Sequence, residues 1–333
     1  MCDPSPRVRL PGMSEAFERA FREALELRPD APPSRAARVT GLAVRLAGKR
    51  MWASVPDTPG GLLRFRRAAA LAGRAMRTPP GVLVEQEDFG LFSGEWVRAG
   101  RPSEKKVILY LHGGAYFFGG PGLYRGFSWR LSAATRRPVL MVDYRLAPEH
   151  APADALADAL LAYDALLARG HRPQDITVAG DSAGGHLAIG LVHALKRRGA
   201  PLPAAVVALS PWADLRCQAE SHRSNELSDD LLPAAKIAWL GGVFCDGAPE
   251  EDPLFDPVRG DYTDFPPLLL ISSSTEILRD DARLVAKTAA SAGAEVVHHE
   301  WIGQVHVFPV FADFVPEAKA ALRQVAEFLA ARD

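Results

Sequence analysis

Three residue types in this chain have the chemistry of acyl transfer, and they occur in a usable order. Gly180-Asp181-Ser182-Ala183-Gly184-Gly185 follows the β-branched stretch Asp175-Ile176-Thr177-Val178-Ala179 and precedes a helical pattern running from His186 to Lys196. A Gly-x-Ser-x-Gly between a strand and a helix is the sequence form of a nucleophile elbow. Gly180 and Gly184 are needed there because a Cβ would collide with the neighbouring strand or helix. Such a turn lifts the Ser182 hydroxyl clear of the backbone, where a base can deprotonate it. An ester attacked by that oxygen becomes a tetrahedral oxyanion, which needs backbone N–H donors. One such donor is typically worth about 2.7–4 kcal/mol in the transition state. His112-Gly113-Gly114-Ala115-Tyr116 follows an apolar strand and supplies adjacent glycines. Gly113, Gly114 and the amide of Ala183 are the expected donors.

The acid and base follow in chain order. Ser272-Ser273-Ser274-Thr275-Glu276 leaves a later strand, which puts Glu276 at a carboxyl end, where ligand-facing residues of parallel sheets gather. Asp280 and Asp281 are rivals, but they begin a helix and fit a cap and first-turn role better. Of nine histidines, only His306 follows the last strand in a glycine-bearing loop, Gly303-Gln304-Val305-His306. The order Ser182, Glu276, His306 is that of the nucleophile, acid and base in hydrolases with such an elbow. His298 and His299 lie within a strand, and His186 and His193 on the helix after the nucleophile, which suits structural roles. His112 is expected to brace its loop by hydrogen bonding rather than transfer protons. The chemistry implied is attack by Ser182, an acyl-enzyme, and release by water.

The elements that must position these groups alternate. Buried-strand patterns cover 106–111, 138–143, 176–179, 204–209, 268–272 and 295–301. Helical patterns cover 153–168, 183–198, 281–292 and 316–331. This predicts an α/β fold with a mostly parallel sheet between helices, extended by an antiparallel hairpin over 82–87 and 91–99. Residues 1–85 carry helical spacing at 13–27, 34–46 and 62–76 between proline-rich breaks. The stretch between the strands ending near 209 and starting near 268 is too long for an ordinary connection. The expected organisation is an N-terminal helical cap segment at 1–85 and a catalytic domain at 86–333, with a second cap contribution at about 216–262.

At 333 residues, 48% of them hydrophobic, the chain can bury one large core. Net charge is −1, and Lys and Arg read as spread along the chain, which argues against a nucleic-acid partner. Cys2, Cys217 and Cys245 fit neither a zinc site nor a disulfide framework, and read as free thiols in a reducing cytoplasm. The start has no signal-type apolar run, and no stretch approaches the roughly 20 apolar residues of a membrane span. No metal or cofactor is expected.

Taken together, these residues resemble the hormone-sensitive-lipase-like α/β-hydrolases, the bacterial family IV esterases. The matching pieces are His112 to Gly119, Asp143-Tyr144-Arg145-Leu146-Ala147-Pro148-Glu149-His150, Gly180 to Gly185, Leu209-Ser210-Pro211-Trp212-Ala213-Asp214, Glu276 to Asp280 and Gly303 to His306. The chain departs from the family pattern at Ala115, usually glycine, and at Glu276-Ile277, usually Asp-Pro. The resemblance implies an α/β-hydrolase fold with a helical cap, and a carboxylesterase acting on small-molecule esters with short or medium acyl chains. It also implies a possible homodimer through the last strand, while the apolar pattern leads to no stable membrane insertion being expected. Tyr116, Phe117, Phe118, Trp212 and Leu240 are candidate pocket walls. Asp143 and Arg145 are expected to form a buried pair bracing the sheet. A related amidase, formamidase or true lipase, and a non-catalytic binding protein on the same scaffold, are the competing readings.

Overall fold

The computed structural model describes residues 29–74, 78–103, 105–246 and 256–333. The helix expected at 13–27 lies outside them. Eight strands form one sheet: β1 Val82–Asp88, β2 Ser93–Ala99, β3 Val107–Leu111, β4 Val139–Asp143, β5 Ile176–Asp181, β6 Ala205–Leu209, β7 Leu268–Ser273 and β8 Val296–Trp301. Their spatial order is β1-β2-β4-β3-β5-β6-β7-β8. β1 pairs antiparallel with β2 and β2 with β4, and the remaining pairs are parallel. Each expected strand is present, with ends displaced by a residue or two.

The central strands read as continuous apolar runs because both faces are covered. Along β3, Val107, Leu109 and Leu111 join one core, while Ile108 and Tyr110 join the other. This is the period-two alternation of a strand. The first core takes in α5 (Pro152–Ala168), α6 (Ala183–Arg197) and α9 (Arg279–Ser291); the second takes in α4 (Pro121–Thr135) and α10 (Pro316–Ala330). Pro121, Pro152 and Pro316 stand at the first positions of α4, α5 and α10, where the missing N–H costs nothing.

Ahead of the sheet, α1 (Arg35–Ala43), a π-helical stretch (Val44–Lys49) and α2 (Arg50–Ala53) run on without a break, and α3 covers Pro59–Arg74. The insertion after β6 contains α7 (Ser221–Ser224) and α8 (Ala234–Phe244). Specific bonds join the two. Arg45 Nε donates to Asp230 at 2.6 Å, and Lys49 Nζ donates to the Glu226 and Asp229 carbonyls at 2.7 and 2.8 Å. Lys236 meets Asp57 and the Val55 carbonyl. No helix among the described residues is long and apolar enough to cross a membrane.

Candidate active site

The turn between β5 and α6 is as cramped as its glycines require. A Cβ on Gly180 would lie 2.2 Å from the Gly184 carbonyl oxygen, and one on Gly184 would lie 2.0 Å from that of Leu111. Ser182 takes φ 53° and ψ −122°, a costly conformation for a residue with a side chain. Three bonds hold it: its N–H donates to the Leu209 carbonyl at 2.8 Å, and its own carbonyl accepts from His186 and Trp212 at 3.0 Å each. Strain at this point is the backbone cost of presenting the hydroxyl at the start of α6.

Glu276 and His306 are brought together at the carboxyl ends of β7 and β8. His306 Nδ1 lies 2.6 Å from Glu276 Oε2, and the two side chains are 2% and 0% exposed. An ionised carboxylate only accepts, so Nδ1 carries the hydrogen and Nε2 is left basic. Glu276 Oε1 accepts the Ser273 N–H at 2.7 Å, which fixes the carboxylate. Burial disfavours charge on His306, but the hydrogen bond and charge of Glu276, helped by Asp229 and Asp181, raise its pKa above the ordinary imidazole value. The His306 loop is tied to the elbow side of the sheet, since Val307 N donates to Ser210 Oγ at 3.3 Å and Ser210 follows the Leu209 that binds Ser182.

The rivals for the acid are engaged elsewhere. Asp280 pairs with Arg279 at 2.8 Å and accepts the Ser221 N–H at 3.0 Å. Asp281 pairs with His222 at 2.9 Å. The other histidines also have structural surroundings: His298 Nε2 meets Ser272 Oγ at 2.8 Å, and His193 packs against Tyr262 and Phe265. His186 Nδ1 lies 2.5 Å from the Tyr116 hydroxyl. His112 stacks on Tyr144 with ring centroids 4.3 Å apart, and burial pushes its imidazole down to about 4, so it stays neutral.

The oxyanion loop corrects one expectation. The Gly113 N–H is already used: it donates to Asp181 Oδ1 at 3.0 Å and to the Tyr124 hydroxyl at 3.1 Å. Asp181 is fully buried and also accepts from the Tyr110 and Tyr124 hydroxyls at 2.9 and 2.8 Å. Burial lifts its carboxyl to about 6, against the pull of these donors. Of the other two expected donors, Gly114 and Ala183, neither amide has a partner among the described residues, and the amide of the neighbouring Ala115 has none either. Gly114 has φ +117°, and a Cβ there would lie 2.0 Å from the Phe118 carbonyl oxygen. Ala115 follows at φ 47°.

Residues 108–310 match the sequence profile of a family described as having the alpha/beta hydrolase fold. The chain belongs to that family. It is 39% identical over 267 residues to an acetyl-hydrolase of Streptomyces hygroscopicus, covering 80% of this chain and 88% of that one. It is 35% identical over 314 residues to a carboxylesterase/phospholipase, LipF, of Mycobacterium tuberculosis, covering 89% and 82%. A crystal structure of an esterase from the bacterial hormone-sensitive lipase family superposes with a TM-score of 0.82 at 31% identity, covering 91% of this chain and 99% of that one. The hormone-sensitive-lipase-like branch is therefore the right one, and the protein is an ester-hydrolysing member of it.

Within that family its departures have local physical reasons. At Ala115 the backbone keeps the left-handed conformation that favours glycine, at a typical cost of roughly 1–2 kcal/mol. At Ile277 the N–H that a proline would lack donates to Asp229 Oδ2 at 2.8 Å, and Asp229 is buried in the insertion. Asn225 Nδ2 adds bonds to the Ser274 and Glu276 carbonyls at 3.0 and 2.9 Å. Nothing in the local sequence marks Asn225 or Asp229 as supports of the Glu276 turn. Nothing local marks Tyr124 either, whereas the acid Asp181 stands within the elbow motif itself.

The Tyr144-to-His150 segment does brace the site, but not through an Asp143–Arg145 pair. Arg145 Nη2 bonds Asp158 Oδ1 at 2.7 Å, and Asp158 is fully buried on α5. Asp143 points away, 3.5 Å from Ser93 Oγ. The bracing runs through Tyr144, whose hydroxyl donates to the His112 carbonyl at 2.5 Å, and through Ala147 N, which donates to the Tyr116 carbonyl at 2.8 Å. Tyr116, Phe117 and Trp212 are each 1% exposed. Phe117 and Phe118 contact Trp52 and Phe65 of the N-terminal helices, with ring centroids 5.1–5.7 Å apart. Leu240, on α8 itself, is fully buried. Among the described residues no group of three or more His, Cys, Asp or Glu is placed to hold a metal ion.

Proposed function

We propose that the protein hydrolyses carboxylic esters of short to medium acyl chain length through Ser182, His306 and Glu276. The observation that carries this reading is the buried 2.6 Å His306–Glu276 bond in a loop tied to the strained elbow of Ser182. Nε2 of His306 takes the Ser182 proton as Oγ attacks the acyl carbon. Glu276 holds the tautomer and stabilises the imidazolium. The oxyanion receives N–H bonds from Ala183, at the N-terminus of α6, and from Gly114, with Ala115 as a third donor. His306 then gives its proton to the departing alcohol. Water repeats the sequence on the acyl-enzyme and frees Ser182.

The helices of 1–85 and the insertion at about 216–262 act together as a cap, a reading supported by the Arg45, Lys49 and Lys236 bonds between them. Phe118 and Trp212 line the acyl side. The unpaired thiols of Cys217 and Cys245 fit a reducing cytoplasm, while Cys2 lies outside the described residues. The carboxylesterase/phospholipase relative supports a second substrate reading, in which the ester belongs to a lipid. A fluorophosphonate probe followed by peptide mapping tests the mechanism. Labelling at Ser182 is expected, and labelling elsewhere or absent on folded protein overturns it. Chain-length profiling with p-nitrophenyl esters, amides and dispersed lipids then separates esterase from amidase and lipase.

A further inference from the structure

The N-terminal helices are built the wrong way round for a helix facing water. Along Arg35–Lys49 the inward positions are small. Ala37 and Gly41 are buried, and a Cβ on Gly41 would lie 2.4 Å from Asp230 Oδ2. The large apolar side chains point out: Val39 is 68% exposed, Leu42 58%, Leu46 50% and Met51 53%. Val39, Leu42 and Leu46 recur at helical spacing, so they form one stripe. Scattered exposed leucines need no explanation, but a contiguous apolar stripe marks an interaction surface.

The same segment is strongly basic, which corrects the impression that Lys and Arg are spread along the chain. Between residues 31 and 74 there are nine Lys or Arg and one acid, Asp57, whereas the whole chain has a net charge of −1. Arg35, Arg38, Arg50, Arg64 and Arg67 are exposed and have no ion pair among the described residues. Only some of the block's charge is used internally, by Arg45 on Asp230, Arg66 on Glu149 and Lys236's neighbour Asp57.

We propose that this face docks onto an anionic lipid bilayer, with Val39, Leu42 and Leu46 entering the headgroup–acyl boundary and Arg35, Arg38 and Arg50 meeting lipid phosphates. An apolar stripe rimmed by Arg and Lys is the pattern of an interfacial helix, and no described helix is fit to span. Other occupants fit less well. A second copy in a two-fold contact would set this positive surface against itself. Residues 1–28 have five acidic and five basic residues, so they bring no net counter-charge. Nucleic acid would satisfy the arginines but leave the apolar stripe against a hydrated phosphate backbone. Trp52, at the end of this helical run, packs on Phe117 and Phe118 of the oxyanion loop. The docked face is thus backed by the catalytic loop, and delivery of membrane-dissolved esters to Ser182 rests on the esterase reading.

Sedimentation of the full chain with vesicles tests docking without using turnover. Binding is expected to vesicles of phosphatidylcholine plus phosphatidylglycerol, to be absent with phosphatidylcholine alone, and to weaken as salt is raised. Each arginine removed near an anionic surface costs about fivefold in binding, so Arg35→Gln/Arg38→Gln/Arg50→Gln is expected to lose roughly a hundredfold. Leu42→Ser/Leu46→Ser loses binding too, while both variants keep their circular dichroism and wild-type hydrolysis of water-soluble p-nitrophenyl acetate. Equal binding to neutral vesicles, undiminished binding by either variant, or tighter binding to duplex DNA overturns the proposal. So does conversion of a dimer to monomers by Leu42→Ser/Leu46→Ser, which would make the stripe a subunit contact. Failure of ester hydrolysis with vesicle binding intact would instead remove only the esterase reading.

Discussion

Two buried carboxylate–imidazole pairs follow β7, their acids only five residues apart: Glu276 with His306 at 2.6 Å and Asp281 with His222 at 2.9 Å. Locally they are the same chemistry, and their surroundings separate them. His222 sits on the short α7 of the insertion, and the Cys217 thiol is its second side-chain partner. The other oxygen of Asp281 accepts the Asp214 N–H at 2.9 Å. Burial opposes charge on His222, but Asp281 outweighs it and pushes the imidazole up to about 10. Asp281 favours the protonated imidazole, which suits a charged bolt between the insertion and α9. His306 is raised as well, yet its loop is tied beside a strained serine. A buried His–carboxylate pair therefore does not by itself identify a catalytic base.

The comparison breaks most sharply at the nucleophile and base. Ser182→Ala and His306→Ala are each expected to lower kcat by about 10⁵–10⁶-fold, as removal of either member of such a unit does, with the thermal unfolding midpoint little changed. Glu276→Gln is expected to lose about 10³–10⁴-fold, because the amide no longer enforces the tautomer. Asp281→Asn and Asp280→Ala are expected to leave kcat/KM within a few-fold for the protein that remains folded. Steady-state kinetics on one soluble ester ranks all five. A larger loss at Asp281 than at Glu276 would exchange the roles of the two pairs, and one at Asp280 would move the acid to that residue.

The structural pair should fail in the opposite way. His222→Ala leaves the fully buried Asp281 without its counter-charge, which typically costs about 3–5 kcal/mol. The chemical-denaturation midpoint is expected to fall accordingly, with turnover per folded molecule preserved. Loss of activity without loss of stability would place His222 in the chemistry.

What could be read from the chain alone follows the reach of each interaction. The elbow, the strands and the pairing of Glu276 with His306 are legible because a local motif at the end of a parallel strand carries its own geometry. Which of the two glycine amides is already bonded is not. Gly113 and Gly114 are chemically alike, and the difference is made by the Asp181 carboxylate, which captures the Gly113 N–H from the end of the neighbouring strand β5. The partner of Arg145 was misread for a related reason: Asp143 is nearer in sequence, but alternation along β4 and the turn after it send Arg145 to Asp158 on α5. The outward apolar stripe was invisible to periodicity, since a helical moment gives the direction of an apolar face without saying whether core or solvent lies there.

The smallest effect sharpens the contrast between the two imidazoles. The base must be neutral, so activity disappears as pH falls through the His306 pKa. Glu276 holds that pKa above the ordinary imidazole value of about 6.5. The acid limb of kcat/KM is therefore expected above that value in the wild type. In Glu276→Gln the charge that favours the imidazolium is gone while burial still disfavours it. The residual activity is expected to show its limb moved to lower pH, measurable on an ester stable from weakly acid to weakly alkaline solution. The His222–Asp281 pair predicts no comparable movement: Asp281→Asn alters a group that does not pass protons, and its pH profile should overlay the wild type. A limb that moves in Asp281→Asn and stays fixed in Glu276→Gln would show that the wrong imidazole has been given the proton.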